Sequence, residues 1–274
     1  MPELPEVETI KRTLKHLVLS KTIKNVHVHW RKIVQFPADV AEFETKLLGQ
    51  TIHDIERRGK FLKFVLDEDV LISHLRMEGR YQLFDVSAPL DKHTHVQFEF
   101  TDGSELRYRD VRKFGTMHLF PKESENKRPP LSKLGVEPLS SMFTVDLLKM
   151  AVKQTRRTIK SVLLDQSIIA GLGNIYVDEA LFRAGILPAR PAGQISDREL
   201  EKLHKEIVET LTEAVKKGGS TVRSYVNTQG EIGLFQQDLF VYARKGEQCR
   251  RCGYDIEKTI VAGRGTHYCP RCQK

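Results

Sequence analysis

The sequence predicts a multidomain α+β protein: an N-terminal β-sandwich led by one helix, a helical middle, and a small C-terminal ribbon pinned by cysteines. Three observations carry this. Apolar residues alternate with period two between about residues 22 and 120, the period becomes helical beyond a proline-punctuated linker, and two Cys-x2-Cys pairs lie at the very end. A chain of 274 residues is long enough for two domains and an appendage.

Residues 2–18 read as a helix, with Val7, Ile10, Leu14 and Leu17 on one apolar face. Val26, Val28 and Trp30 then alternate with His27 and His29. The runs Phe61–Leu66 and Val70–Leu75 follow, and Val96, Phe98 and Phe100 alternate before the turn signal Asp102-Gly103, after which the pattern resumes at Leu106 and Tyr108. Antiparallel strands packed as a sandwich fit this stretch. Pro129-Pro130 and Glu137-Pro138 mark the linker. Ser196-Asp197-Arg198-Glu199 is a capping box that opens a helix with the stripe Leu200, Leu203, Ile207, Leu211 and Val215, and Gly218-Gly219 ends it. There is no internal repeat or low-complexity tract.

Basic residues number 44 against 36 acidic, a net charge of +8. The excess is concentrated: residues 244–274 hold eight Lys or Arg and three acids. Such a patch favours a polyanion such as nucleic acid. No apolar run approaches the ~18 residues of a membrane span, and Met1-Pro2-Glu3 opens neither a signal nor a transit peptide. The expectation is an intracellular, cytoplasmic chain with no membrane partner.

Cys249 and Cys252 are separated from Cys269 and Cys272 by sixteen residues. Two such knuckles present four thiolates to a tetrahedral zinc ion and leave no open position for a catalytic water, so one structural Zn²⁺ is expected. A disulfide framework does not suit an intracellular chain. Between the knuckles, Gly263 and Gly265 flank Arg264, which suits a hairpin tip presenting a guanidinium to phosphate; a plain solvated turn gives the same pattern.

Two further features point to nucleic acid. Gly171-Leu172-Gly173-Asn174 precedes a helical pattern, an arrangement that offers free N–H groups to a phosphate, with Asn174 placed to cap the helix or to donate to the phosphate. A plain helix–helix turn is the alternative. Upstream, Lys153, Arg156, Arg157 and Lys160 recur at helical spacing and are expected on one basic face. At the other end, removal of Met1 would expose Pro2 as a secondary amine with a pKa near ~8, well below the ~10.4 of lysine. Such an amine attacks sugar carbons to give iminium intermediates, with the Glu3 and Glu6 carboxylates close by. Read alone, a Met-Pro opening does not assign catalysis.

Taken together, the blocks at 1–9 (MPELPEVET), Arg57–Lys60, His74–Gly79, Asp110–Gly115, Gly171–Tyr176 and the cysteine ribbon with Ala262–Thr266 resemble the bacterial formamidopyrimidine-DNA glycosylase family along essentially the whole chain. The resemblance implies three parts: a catalytic β-sandwich at 1–130, a helix-two-turn-helix DNA-binding domain at 131–239, and a zinc-ribbon finger at 240–274. It also implies a DNA glycosylase that excises oxidised purines and cleaves the abasic strand. A monomer would bind double-stranded DNA carrying oxidised bases or abasic sites.

By motif, the resemblance makes Pro2 the Schiff-base nucleophile and Glu3 the proton donor and acceptor. Lys60 belongs to β-elimination and Arg264 to δ-elimination and phosphate binding. His74, His93, Lys160 and Asn174 match DNA-contacting positions. Met77, Arg112 and Phe114 match the residues that fill the space left by a flipped base and meet the orphaned cytosine. Glu78 and the segment Ser220, Thr221, Val222, Arg223, Ser224 and Tyr225 match lesion recognition. Seen singly, Met77, Arg112 and Phe114 read more readily as a core methionine, a salt-bridging arginine and a core phenylalanine, and the glycine-flanked segment reads as a linker. Two other readings share much of the evidence: a sister glycosylase for oxidised pyrimidines, and a non-enzymatic zinc-ribbon DNA-binding protein.

Overall fold

The computed structural model describes residues 1–153, 155–220 and 234–274, and these divide into two compact units. The first, Met1–Ser132, contains α1 (Leu4–Val18), β1 (Ile23–Val28), β2 (Val34–Phe36), α2 (Val40–Leu47), β3 (Asp54–Arg58), β4 (Phe61–Val65) and β5 (Asp69–His74). It continues with β6 (Arg80–Asp85), β7 (Thr94–Phe100), β8 (Ser104–Arg109) and β9 (Thr116–Pro121). The strands form a four-stranded sheet in the order β1-β7-β8-β6 and a five-stranded sheet in the order β2-β9-β5-β4-β3. All pairings are antiparallel except β2 with β9. Leu62, Phe64, Tyr81, Phe98, Leu106, Tyr108, Met117 and Leu119 belong to one buried apolar core with Val7, Ile10 and Leu14 of α1. The expected sandwich is therefore present.

Three local expectations shift. Helix α1 begins at Leu4 because Glu3 is in extended backbone and acts as the N-cap. Its buried stripe ends on Val18, with Leu17 only partly covered. Strand β1 ends at Val28, and Trp30 leads into a 3-10 turn at Arg31–Ile33. The turn signal holds: Gly103, at φ +83°, lets the chain reverse between β7 and β8.

The second unit comprises Lys133–Ser220 and Leu234–Lys274. It holds α3 (Val145–Lys153), α4 (Ile159–Leu163), α5 (Asn174–Ala184), α6 (Asp197–Lys216) and the hairpin β10 (Glu257–Val261) and β11 (Arg264–Tyr268). The ribbon thus shares one compact unit with the helices. Ser196 caps α6 in the expected box: its N–H donates to Glu199 Oε2 at 2.9 Å, and its Oγ accepts from Glu199 N at 3.4 Å. Arg190 grips the same carboxylate at 2.6 Å and holds its pKa down at about 2. Leu200, Leu203, Ile207 and Leu211 are buried, while Val215 is half-buried and Ala214 takes the last core position.

The expected basic helix face does not form. Lys153 ends α3, Arg156 and Arg157 lie in the break, and Thr158 caps α4 by accepting from Ser161 N, so the helical period is interrupted between the first and last of the four. Lys160, in α4, is fully buried. Among the described residues no helix is long and apolar enough to cross a membrane.

Candidate DNA-processing surfaces and zinc centre

In the first unit the chemistry-bearing residues collect at the start of α1 and at strand ends. Pro2 is buried immediately before the cap, and Glu3 is only 4% exposed. Glu3 and Glu6 form a capping box in which Glu3 N donates to Glu6 Oε2 at 2.8 Å. The Pro2–Glu3 peptide is thereby fixed at the positive end of a helix, where a carboxylate is favoured. Gly59, at φ +56°, makes the two-residue turn between β3 and β4 that carries Lys60. Arg57 of β3 reaches the Glu8 carboxylate of α1 at 3.1 Å and the Gly59 carbonyl at 2.9 Å, which ties this turn to the first helix.

His74 ends β5 opposite Phe61, with ring centres 4.5 Å apart. Its Nδ1 accepts the Arg76 N–H at 2.9 Å. Burial, with the charges of Arg76 and Lys60 nearby, pushes its pKa down to about 3, so it is a neutral imidazole with its proton on Nε2.

Two loops leave the strand ends with exposed tips. Met77 and Glu78 are exposed on the loop after β5, and Arg112 and Phe114 on the loop after β8, where the Arg112 guanidinium lies 4.6 Å from the centre of the Phe114 ring. Asp110, itself buried, shapes the second loop: Oδ1 accepts from Arg112 N at 2.9 Å, and Oδ2 from Phe114 N at 2.8 Å and Gly115 N at 3.0 Å. Its backbone N–H donates to the carbonyl of His93, which is half-buried. Sequence reading passed over Asp110; the available signal was an acid ahead of three loop N–H groups, the pattern of a carboxylate that folds its own turn.

In the second unit, Gly171 at φ +86° and Gly173 as N-cap start α5. Asn174 is the first helical residue, so it does not serve as the N-cap; its Nδ2 instead donates to the Gly265 carbonyl at 2.9 Å. Its buried Oδ1 has no hydrogen-bond partner among the described residues. The Lys160 ammonium donates to Asp178 Oδ1 at 2.6 Å and to the same Gly265 carbonyl at 3.3 Å. Asp178 Oδ2 accepts from His267 N at 2.9 Å. Lys160 therefore holds the ribbon hairpin from within, its ammonium committed to Asp178 and the Gly265 carbonyl instead of lying on the basic face expected from the sequence. Arg264 is exposed at the start of β11, just after a turn in which Ala262 and Gly263 both have positive φ.

Glu179 takes the N–H groups of Phe240, Val241 and Tyr242 at 2.8, 2.9 and 2.9 Å, while complete burial raises its pKa. Asp178 and Glu179 were also missed, although two adjacent acids in the middle of a largely apolar helix were the visible sign.

The four cysteine sulfurs lie within 4.8 Å of one another, with Cys252–Cys269 at 3.5 Å and Cys249–Cys272 at 3.9 Å. Tetrahedral zinc with bonds of about 2.3 Å places its sulfurs about 3.8 Å apart. The set therefore fits one structural Zn²⁺ and offers no further ligand position. The module docks on α5: Phe182 packs with Val241, Cys249, Ile256 and Cys269, and Arg251 stacks on the Phe182 ring at 4.4 Å and donates to its carbonyl at 3.1 Å. Ser220 is buried and bridges to Leu234. Thr221, Val222, Arg223, Ser224 and Tyr225 lie outside the described residues.

A sandwich with the buried Pro2–Glu3 pair at a helix start, helices presenting a glycine-rich turn, and a basic ribbon with four clustered cysteines define a zinc-ribbon protein of the DNA-binding class. Family models agree segment by segment: the formamidopyrimidine-DNA glycosylase N-terminal domain matches residues 1–117, its H2TH domain residues 134–226, and the zinc finger found in FPG and IleRS residues 246–274. The chain is 63% identical to the formamidopyrimidine-DNA glycosylase of Geobacillus kaustophilus, with all of both chains covered, and 58% identical to that of Bacillus subtilis, over 100% of this chain and 99% of the other. Solved structures of Lactococcus lactis Fpg are similar over the full length. The complex with abasic-site DNA has a TM-score of 0.93 at 41% identity and 99% coverage of both chains. The complex with DNA containing Fapy-dG has a TM-score of 0.92 at 41% identity, covering 99% of this chain and 100% of that one. The chain belongs to the formamidopyrimidine-DNA glycosylase family.

Proposed function

We propose that this chain is a base-excision-repair glycosylase that removes oxidised purines, 8-oxoguanine and formamidopyrimidines, from double-stranded DNA and then cleaves the abasic strand. The observation that carries the reading is the Pro2–Glu3 pair fixed at the buried start of α1 in a chain of this family. Once Met1 is removed, the Pro2 amine forms a bond to C1′ as the N-glycosidic bond breaks, and the base leaves protonated. Ring opening of the sugar gives the iminium, with Glu3 donating and accepting the protons. Loss of a C2′ proton then expels the 3′ phosphate, and a second elimination expels the 5′ phosphate. Lys60 serves the first elimination and Arg264 the second, each also holding phosphate.

His74, His93 and Asn174 contact the DNA. Met77 and Phe114 enter the stack beside the extruded nucleotide, and Arg112 meets the orphaned cytosine; their exposure on short, braced loops supports these roles. Glu78 and the segment from Ser220 to Tyr225 serve lesion recognition. Lys160 contributes by positioning the ribbon. The enzyme acts as a monomer in the bacterial cytoplasm.

Borohydride trapping on a duplex containing 8-oxoguanine tests the reading. With Met1 shown absent by mass spectrometry, a covalent protein–DNA adduct on Pro2 is expected. No adduct would overturn the enzymatic reading, and preferential release of thymine glycol over 8-oxoguanine from matched duplexes would move the chain to the pyrimidine branch.

A further inference from the structure

The loop bearing Met77 and the loop bearing Arg112 and Phe114 come from different strands of different sheets, β5 and β8. Each ends in a glycine, Gly79 and Gly115, and both glycines face one side chain. Tyr108 is fully buried at the end of β8, and its ring packs edge-on against Tyr81 with centres 5.2 Å apart. Tyr81 is in turn held by a 2.8 Å hydrogen bond to Ser73 Oγ. A methyl group added at Gly115 would overlap the Tyr108 hydroxyl and lie 2.6 Å from its Cζ, with only Tyr108 in the way. One added at Gly79 would overlap the same hydroxyl and lie 2.6 Å from the Leu75 carbonyl oxygen. Neither glycine has a positive φ, so backbone conformation does not call for glycine at these positions. What calls for it is the approach of one phenol to both chains.

We infer that Tyr108 is a positioning residue that wedges between Gly79 and Gly115 and locks the Met77 loop to the Arg112–Phe114 loop, so that the stack-filling side chains and the opposite-base guanidinium enter DNA in one fixed register. The remaining anchors fit this. Gly79 N donates to the Leu75 carbonyl at 3.0 Å, closing the first loop, and Asp110 closes the second. Each loop is thus closed by its own hydrogen bonds, and the phenol is the element shared by both. The contact lies at the base of the loops, which leaves their tips free for DNA. Misplacing a reacting or recognising group by about an ångström is enough to lower a rate by about a hundredfold, so a rigid link between the loops has a measurable consequence.

The inference rests on the proposed oxidised-purine reading and is tested separately from it. Gly115→Ala, Tyr108→Leu and the double variant are compared with wild type for 8-oxoguanine excision opposite cytosine and opposite adenine, for trapping on a preformed abasic duplex, and for Tm. Gly115→Ala is expected to lower kcat/KM opposite cytosine by roughly ten- to a hundredfold, to erode the cytosine-over-adenine ratio, and to leave abasic trapping close to wild type. In the Tyr108→Leu background, which removes the obstructing hydroxyl and Cζ, Gly115→Ala is expected to add little further loss, because the two changes act through one contact. An unchanged base ratio in Gly115→Ala, equal losses on lesion and abasic duplexes, or additive losses in the double variant would each overturn the inference. Should Tyr108→Leu fail to fold, the base ratio and abasic trapping of Gly115→Ala decide it alone. Failure of wild type to trap on abasic DNA would instead refute the underlying functional reading.

Discussion

Lys160 and Asp178 form an ion pair at 2.6 Å with both side chains completely buried, eighteen residues apart in sequence and beneath the ribbon hairpin. Coulombic attraction in such a site offsets desolvation only while both partners are present. Lys160→Met should therefore destabilise the second unit by about 3–5 kcal/mol, read as a fall in denaturation midpoint. Lys160→Met with Asp178→Asn should recover a large part of that loss. A single variant as stable as wild type would show that the pair does not anchor the hairpin.

Glu3→Gln keeps an oxygen acceptor for the capping box at the start of α1 but removes the carboxylate that exchanges protons. Base excision should drop by about 10²–10⁴-fold, the usual span for a general acid or base. The Kd for lesion duplex should stay near wild type. Undiminished single-turnover excision would count against the role given to Glu3.

Zinc stripping, or Cys249→Ser, should loosen the ribbon from α5, because Cys249 and Cys269 belong to the same apolar cluster as Phe182, Val241 and Ile256. Affinity for lesion duplex should fall as Arg264 loses its fixed turn, and zinc added back to the stripped protein should restore it. Binding that survives complete removal of zinc would contradict the assignment.

His74 gives a pH prediction with a definite sign. Its folded pKa, lowered to about 3 chiefly by burial, lies below the ordinary value of 6.5, so the unfolded chain binds the additional proton. The contribution is full above about pH 6.5 and is lost as pH falls toward 3; His118, lowered to about 4 mainly by burial, acts in the same direction. Urea midpoints should decline across this window, and His74→Asn should make the decline shallower. An identical pH slope in that variant would remove His74 from the account.

Much of the fold was legible because its signals are local. Ser196 and Glu199 meet across one helical turn, and Asp102-Gly103 reverses the chain wherever two strands flank it. The same locality misled at Lys153–Lys160, where helical spacing read straight across a break that Thr158 enforces by capping a new helix. Tyr108, Asp178 and Glu179 were opaque for the opposite reason. Each acts on groups that only folding brings near, such as the carbonyl of Gly265 or the N–H groups of 240–242.

By itself the sequence determined the metal ligands, because thiolate spacing needs no long-range information, and it set Pro2 beside Glu3 by covalent adjacency alone. Tertiary structure alone decided that Lys160 faces inward to Asp178 rather than outward to phosphate, that Asn174 spans to Gly265 rather than capping its helix, and that one buried phenol meets two glycines. The physical reason is that the fate of a polar side chain depends on which partner can repay its desolvation, and for Lys160 and Asn174 those partners lie from 18 to 105 residues away along the chain.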